Sequence, residues 1–191
     1  MEMQERMTVN GIGYAVLRLL GKGKGGYSYL AQGEDGTLCV LKQIHHEPCD
    51  YYTFGDKMAA ELGDYERLRA LGVPMPRMLG YDRACERILK EYIPGDTVYD
   101  LVRTGRMDPR LVDWMHAFCP TLYAAGLNID YFPTNFIPAG DGLIYVDYEC
   151  NPYMEQWDFA HWGVKYWSLT EEFLAYAKEH GHDVSAALLQ R

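Results

Sequence analysis

The hydrophobic pattern changes its period midway along the chain, and that change limits what the chain can fold into. Up to about residue 92 the apolar residues form short runs with strand-like alternation, punctuated by turn residues. Strands are expected at 14–20, 27–31 and 37–44, with the Asp-Gly of "GEDGT" making a tight hairpin turn between the last two. A helix is expected over 56–71, with Asp56 as its cap and Gly72 just past its end. "GVPMP" then forbids helix, and 77–81 and 87–93 form a second hairpin around "DRAC".

Beyond residue 92 the pattern turns helical. Asp108 is the expected N-cap of a helix with Pro109 at its first position, running toward Ala125 and kinked or split by Pro120. A short hairpin is expected from 135–138 and 143–147 around "GDG", and helix from Trp157 to about Gln190 with a break near Gly181. The plan is a strand-rich first part and a helix-rich second part, joined by "YIPGDT".

Bulk properties exclude several classes of function. In 191 residues, 48% are hydrophobic and 24% charged, ordinary for a globular chain with a real core. No apolar run approaches the roughly 20 residues of a membrane span, and "MEMQERMTVNG" is too acidic and polar for a secretory leader. No membrane association and a cytoplasmic location are therefore expected. A net charge of −9 without a basic run argues against direct nucleic-acid binding. The five cysteines are scattered and form no C-x-x-C, as expected of reduced thiols.

Four stretches carry chemistry. "GKGKGGYSYLA" holds G-x-G-x-x-G at Gly21, Gly23 and Gly26, followed by a strand rather than a helix; it is either a plain turn or a backbone cradle for an anion. In "LCVLKQI", Lys42 shares a strand face with Leu38, Val40 and Ile44. It either snorkels from an edge strand or points into a cleft to hold phosphate oxygens, where it needs an anionic partner. Glu61 is either a solvated surface glutamate or the partner from the following helix; it is the one expected there because Tyr65 and Leu68 share its face, whereas Glu66 points elsewhere. In "NIDYFPTN", Asp130 and Asn135 flank an aromatic loop; they either bond their own backbone or face one point, one taking a hydroxyl proton and the other binding a metal. In "LIYVDYE", Asp147 ends an apolar strand 12 residues after Asn135; it is either a plain strand-end carboxylate, or a hairpin of that length sets the two side by side as hard-oxygen ligands for Mg²⁺.

In this order, the four stretches resemble the protein-kinase-like superfamily. "GKGKGGYSYLA" is similar to its glycine-rich loop, "CVLK" to its V-A-I-K strand, Asp130 and Asn135 to its D-x-x-x-x-N, and "VDYE" stands where D-F-G would. "VDYE" followed by "WDFAHW" resembles the aminoglycoside phosphotransferase and choline kinase branch, with Asp158 matching the aspartate that anchors the next helix. RIO-like and lipopolysaccharide kinases are similarly compact. The resemblance implies an α+β, two-lobed protein-kinase-like fold. An antiparallel β-sheet N-lobe with one main helix would occupy residues 1–93, and a reduced, mostly α-helical C-lobe 94–191. It implies transfer of the γ-phosphate of Mg-ATP to an acceptor hydroxyl. Asp130 would be the catalytic base, Lys42 set by Glu61 would bind the α/β-phosphates, and Gly21, Gly23 and Gly26 would cover the rest. Val40 would line the adenine pocket, hinge backbone near Glu91 and Ile93 would bind the base, and Asn135 and Asp147 would hold Mg²⁺.

The chain also departs from the family pattern. Asn128 replaces the usual histidine, Val40 an alanine, and no A-P-E follows Asp147. Only ten residues separate Asp147 from Asp158, too few for a peptide-docking segment, which favours a small-molecule acceptor over a protein Ser/Thr. The aromatics Tyr148, Tyr153, Trp157, Trp162, Tyr166 and Trp167 are either core or a cage for a cationic acceptor. Asn128 and the short second part also suit a non-catalytic nucleotide-binding or scaffold protein, a pseudokinase. A carboxylate metal hydrolase using Asp130 and Asp147 leaves the glycine loop and Lys42 without a role.

Overall fold

The computed structural model describes residues 5–47, 55–185 and 188. The fold is mixed α+β, with a six-stranded antiparallel sheet and, among the described residues, four α-helices. No helix among them is long and apolar enough to cross a membrane. The chain divides into two compact units. One runs up to Gly63 and includes Pro76–Ile93; the other comprises Asp64–Met75 and the chain from Pro94 onward.

The first unit is built on the sheet. Strands β1 (Arg6–Val9), β2 (Ile12–Lys22), β3 (Gly26–Gln32), β4 (Leu38–Ile44), β5 (Met78–Asp82) and β6 (Arg87–Glu91) lie in the order β1-β2-β3-β4-β6-β5. The strand β1 was not expected. It is joined to β2 through Asn10–Gly11, both at positive φ (50° and 79°), with Val9 opposite Ile12. This is the two-residue turn whose twist matches that of its strands. The sheet curls until its far edges meet: Asn10 N donates to Asp82 Oδ2 at 2.8 Å, and Arg87 Nη1 to Thr8 O at 2.8 Å. Inside the curl Val9, Ala31, Cys39, Leu41 and Leu89 form a small apolar core with Met7 and Tyr14 against it. The opposite face of β4 carries Val40, Lys42 and Ile44.

Helix α1 (Lys57–Ala70) starts where Asp56 Oδ1 accepts from Ala59 N at 2.8 Å, a side-chain cap on an otherwise unpaired amide. It closes where Val73 N reaches back to Leu68 O and Gly72 takes φ +75°.

The second unit has the larger core. It collects helix α2 (Val98–Arg103), helix α3 (Arg110–Ala124), strands β7 (Leu127–Ile129), β8 (Phe136–Ala139), β9 (Gly142–Tyr145) and β10 (Cys150–Pro152), and helix α4 (Glu171–Glu179). Met115, Leu122, Tyr131, Phe136, Phe159, Trp167 and Phe173 are among its fully buried side chains. Helix α3 is not split at Pro120. Two expectations change here. The N-cap position falls on Pro109, one residue after Asp108, whose carboxylate accepts from Arg110 N at 3.0 Å. The long helix expected from Trp157 is instead two 3₁₀ turns (Glu155–Trp157 and Gly163–Tyr166) and the nine residues of α4, which ends just before Gly181. Its expected reach to Gln190 lies partly outside the described residues. Helix α2 was not expected; Thr97 caps it by accepting from Asp100 N.

Candidate functional site

In the first unit the glycine stretch is the turn between β2 and β3. Gly21 pairs with Ser28, Lys22 with Tyr27, and Gly23 N donates to Gly26 O at 2.9 Å. The three glycines are not equivalent. A Cβ on Gly26 would lie 2.4 Å from the backbone oxygen of Gln43, so packing within the chain demands glycine there. Gly21 and Gly23 have no such neighbour within 4 Å and no positive φ, so among the described residues neither packing nor conformation demands glycine. Open space on a glycine backbone is what close approach by an anion requires. Gly25, outside the expected triplet, is where a Cβ would come 3.5 Å from Lys42 Nζ. The turn therefore lies against that lysine.

Cross-strand register puts Lys42 opposite Ser28 and Ile88, and Val40 opposite Leu30 and Lys90. Lys42 Nζ stands 2.6 Å from Glu61 Oε2, with the two side chains 11% and 9% exposed. Glu66 instead pairs with Arg69 on the exposed face of α1. Sequence reasoning missed a second lysine. Lys90 is buried on β6, and its Nζ is 3.3 Å from Glu61 Oε1, an ion pair by distance but outside hydrogen-bond geometry. One carboxylate thus serves two ammoniums, an arrangement costly to break once removed from water. In "RILKE" nothing separates Lys90 from a surface lysine; its place directly across the strand pair from Val40 does.

Glu91 ends β6. Its carboxylate accepts from Arg77 N and Arg77 Nε, both at 3.2 Å, and the backbone bond from Arg77 is the main reason its pKa is depressed. The Glu91 backbone N–H in turn donates to Arg77 O at 2.9 Å. Ile93 follows in irregular chain, half-buried.

In the second unit, Asp130 directly follows β7. Its Oδ1 accepts from Phe132 N at 3.0 Å, and its carbonyl accepts from Asn135 Nδ2 at 3.3 Å. The two residues of "NIDYFPTN" are thus fastened to each other through the loop backbone. With Nδ2 committed to a carbonyl, the Asn135 side chain has its oxygen as the ligating end. The β8–β9 hairpin pairs Phe136 with Tyr145, and Val146 N donates to Asn135 O at 2.9 Å. This register brings Asn135 and Asp147 to the same open end of the hairpin.

Tyr145 reports the local field. Its hydroxyl donates to Glu149 O at 2.9 Å and accepts from Asp130 N at 3.3 Å. Its pKa is driven well up by burial first, then by the charges of Asp147, Asp130 and Glu149. Tyr176 is raised by burial, then by Glu179 and Asp130. Asp130 therefore lies within electrostatic reach of both tyrosines. Among the described residues no three His, Cys, Asp or Glu are grouped as a metal site. An Asn–Asp pair suits Mg²⁺ when phosphate and water oxygens complete the shell.

Around this loop, Asn128 sits in β7 and its Nδ2 ties to Met154 O at 2.9 Å. Buried Asp158 accepts from His161 N and His161 Nδ1, both at 2.8 Å, and so anchors the following turn. Of the aromatics, Tyr148 and Trp167 are core, and Trp167 Nε1 donates to Tyr131 O. Trp162, Tyr166 and Tyr176 pack around Phe132, two residues from Asp130. Trp157 is 50% exposed. Cys39, Cys85, Cys119 and Cys150 are free thiols, and Cys49 lies outside the described residues.

Compared with known proteins, the chain matches no protein-family model and no curated sequence.

Proposed function

We propose that this chain is a protein-kinase-like phosphotransferase that moves the γ-phosphate of ATP to an acceptor hydroxyl. The observation that carries this reading is the buried Lys42–Glu61 ion pair beside a turn with open space where side chains at Gly21 and Gly23 would stand. A lysine held by one carboxylate at the edge of a turn without side chains suits the α/β-phosphates of a nucleotide.

In this reading Lys42 binds phosphate oxygens, and Glu61 fixes its position. Asn135 and Asp147 hold Mg²⁺, which neutralises charge on the triphosphate. Asp130 accepts the acceptor's hydroxyl proton, and the bond from Phe132 N to its Oδ1 fixes the carboxylate on its loop. The adenine meets backbone near Glu91 and Ile93, against Val40. Catalysis is then mostly positioning and charge neutralisation. The acceptor is a small molecule, because only ten residues lie between Asp147 and Asp158.

The test is Mg-ATP turnover, alone and with panels of amine-bearing alcohols, carbohydrates and a generic Ser/Thr peptide. Asp130→Ala should lose transfer by at least about 100-fold while still binding ATP. Wild-type turnover in that variant would refute the base role. Binding of Mg-ATP without turnover by the native chain would favour the pseudokinase reading, and absence of binding would end both.

A further inference from the structure

We infer that Lys57 and His45 are positioning residues that clamp the glycine turn in the shape a phosphate needs; the phosphate part of this inference rests on the phosphotransferase reading. Lys57, the first residue of α1, is only 7% exposed. Its Nζ donates to Lys24 O at 3.2 Å and to His45 O at 2.6 Å. His45 Nε2 lies 3.0 Å from Gly23 O. A carbonyl only accepts, so Nε2 carries the proton. Glu47 N donates to His45 Nδ1 at 3.2 Å, so Nδ1 is bare. Both contacts are met by one neutral tautomer, and the ring becomes a fixed spacer between the turn and the chain leaving β4. The Glu47 carboxylate accepts from Lys22 Nζ at 2.6 Å and from the Tyr27 hydroxyl, one residue on each strand flanking the turn.

The consequence lies in the peptide groups. In a trans peptide the C=O and the following N–H point in opposite directions. Pinning the carbonyls of Gly23 and Lys24 therefore turns the amides of Lys24 and Gly25 away from the clamp. Gly25 is also the residue whose missing Cβ would approach Lys42 Nζ. A glycine-rich turn left to itself loses more conformational freedom on ordering than any other sequence. A clamp bears that loss during folding, so that it is not borne again when ligand binds.

The test uses the full chain with Lys57→Met, which keeps the stem and removes the ammonium. Two quantities are read: amide hydrogen exchange at residues 22–26 without ligand, and affinity for ATP, ADP and adenosine. At least about tenfold faster exchange in the turn is expected, with β4 and α1 amides unchanged. ATP and ADP should bind about tenfold more weakly, with adenosine unaffected. Unchanged exchange in the turn of a folded Lys57→Met overturns the clamp, whatever the protein binds. A freed turn with undiminished ATP affinity overturns its role in phosphate binding. A freed turn in a chain whose wild type binds no ATP overturns the phosphotransferase reading, and the phosphate role with it, while the clamp stands. If Lys57→Met does not fold, His45→Phe decides by the same readings. It keeps a ring against Tyr27, where the centroids are 5.2 Å apart, and removes both nitrogens.

Discussion

Gly26 and Gly21 look alike in the sequence, yet different forces hold them. Gly26 is fixed by the Gln43 carbonyl, so Gly26→Ala pushes a methyl group into backbone that cannot yield. It should cost about 2 kcal/mol, read as a lower urea midpoint. Gly21→Ala and Gly23→Ala meet open space and should stay within about 0.5 kcal/mol of the native chain, while weakening ATP binding. An unchanged ATP affinity in both would mean the open backbone is not a phosphate cradle. The pairing of Lys42 with Glu61 was legible because helical spacing puts Glu61, Tyr65 and Leu68 on one face. Lys90 was not, because a lysine in a short apolar strand reads equally well as a snorkelling surface residue until its cross-strand neighbour is known.

At the scale of elements, one half-buried carboxylate helps to close the curl of the sheet. Asp82 accepts from the backbone amides of Cys85, Asn10 and Ala84, which hold its pKa below the ordinary 3.8, the Cys85 bond most of all. A carboxylate with a depressed folded pKa contributes stability that is full above its unfolded pKa and lost as pH falls through the folded value. The difference in urea midpoint between native chain and Asp82→Ala should therefore be greatest near neutral pH and vanish in acid below 3.8. A difference that persists unchanged in acid would show that the carboxylate does not close the curl. The β1–β2 hairpin belongs to this scale too. Its Asn10-Gly11 turn is a hairpin signal readable in the sequence, since both residues tolerate positive φ. The helix expected from Trp157 does not form as one piece, because Asp158 captures the backbone and ring of His161 and the run breaks into turns.

At the scale of the whole molecule, Lys42 belongs to one compact unit and Asp147 to the other, and the proposed function is tested by what each does to stabilisation by nucleotide. ATP with Mg²⁺ at 100 times its dissociation constant should stabilise the native chain by about 2.7 kcal/mol, measured as a rise in Tm. Lys42→Met and Asp147→Ala should each reduce that rise. If both act on one triphosphate, the double variant should lose less than the sum of the two. Strictly additive losses, or a rise that neither variant changes, would separate these residues from a common ligand.

Local pattern alone determined strands β2 to β6, helix α3, the cap and stop of α1 and the β8–β9 hairpin, and it pointed to Lys42, Glu61, Asp130, Asn135 and Asp147 as candidates. Such features depend on contacts within a few residues or on one repeating period. Only the tertiary structure decided which glycine is packed and which is open, that Lys90 shares the carboxylate of Glu61, and that Lys57 and His45 reach the glycine turn. Those contacts join residues far apart in sequence, and nothing in the spacing of one segment encodes the register or approach of another.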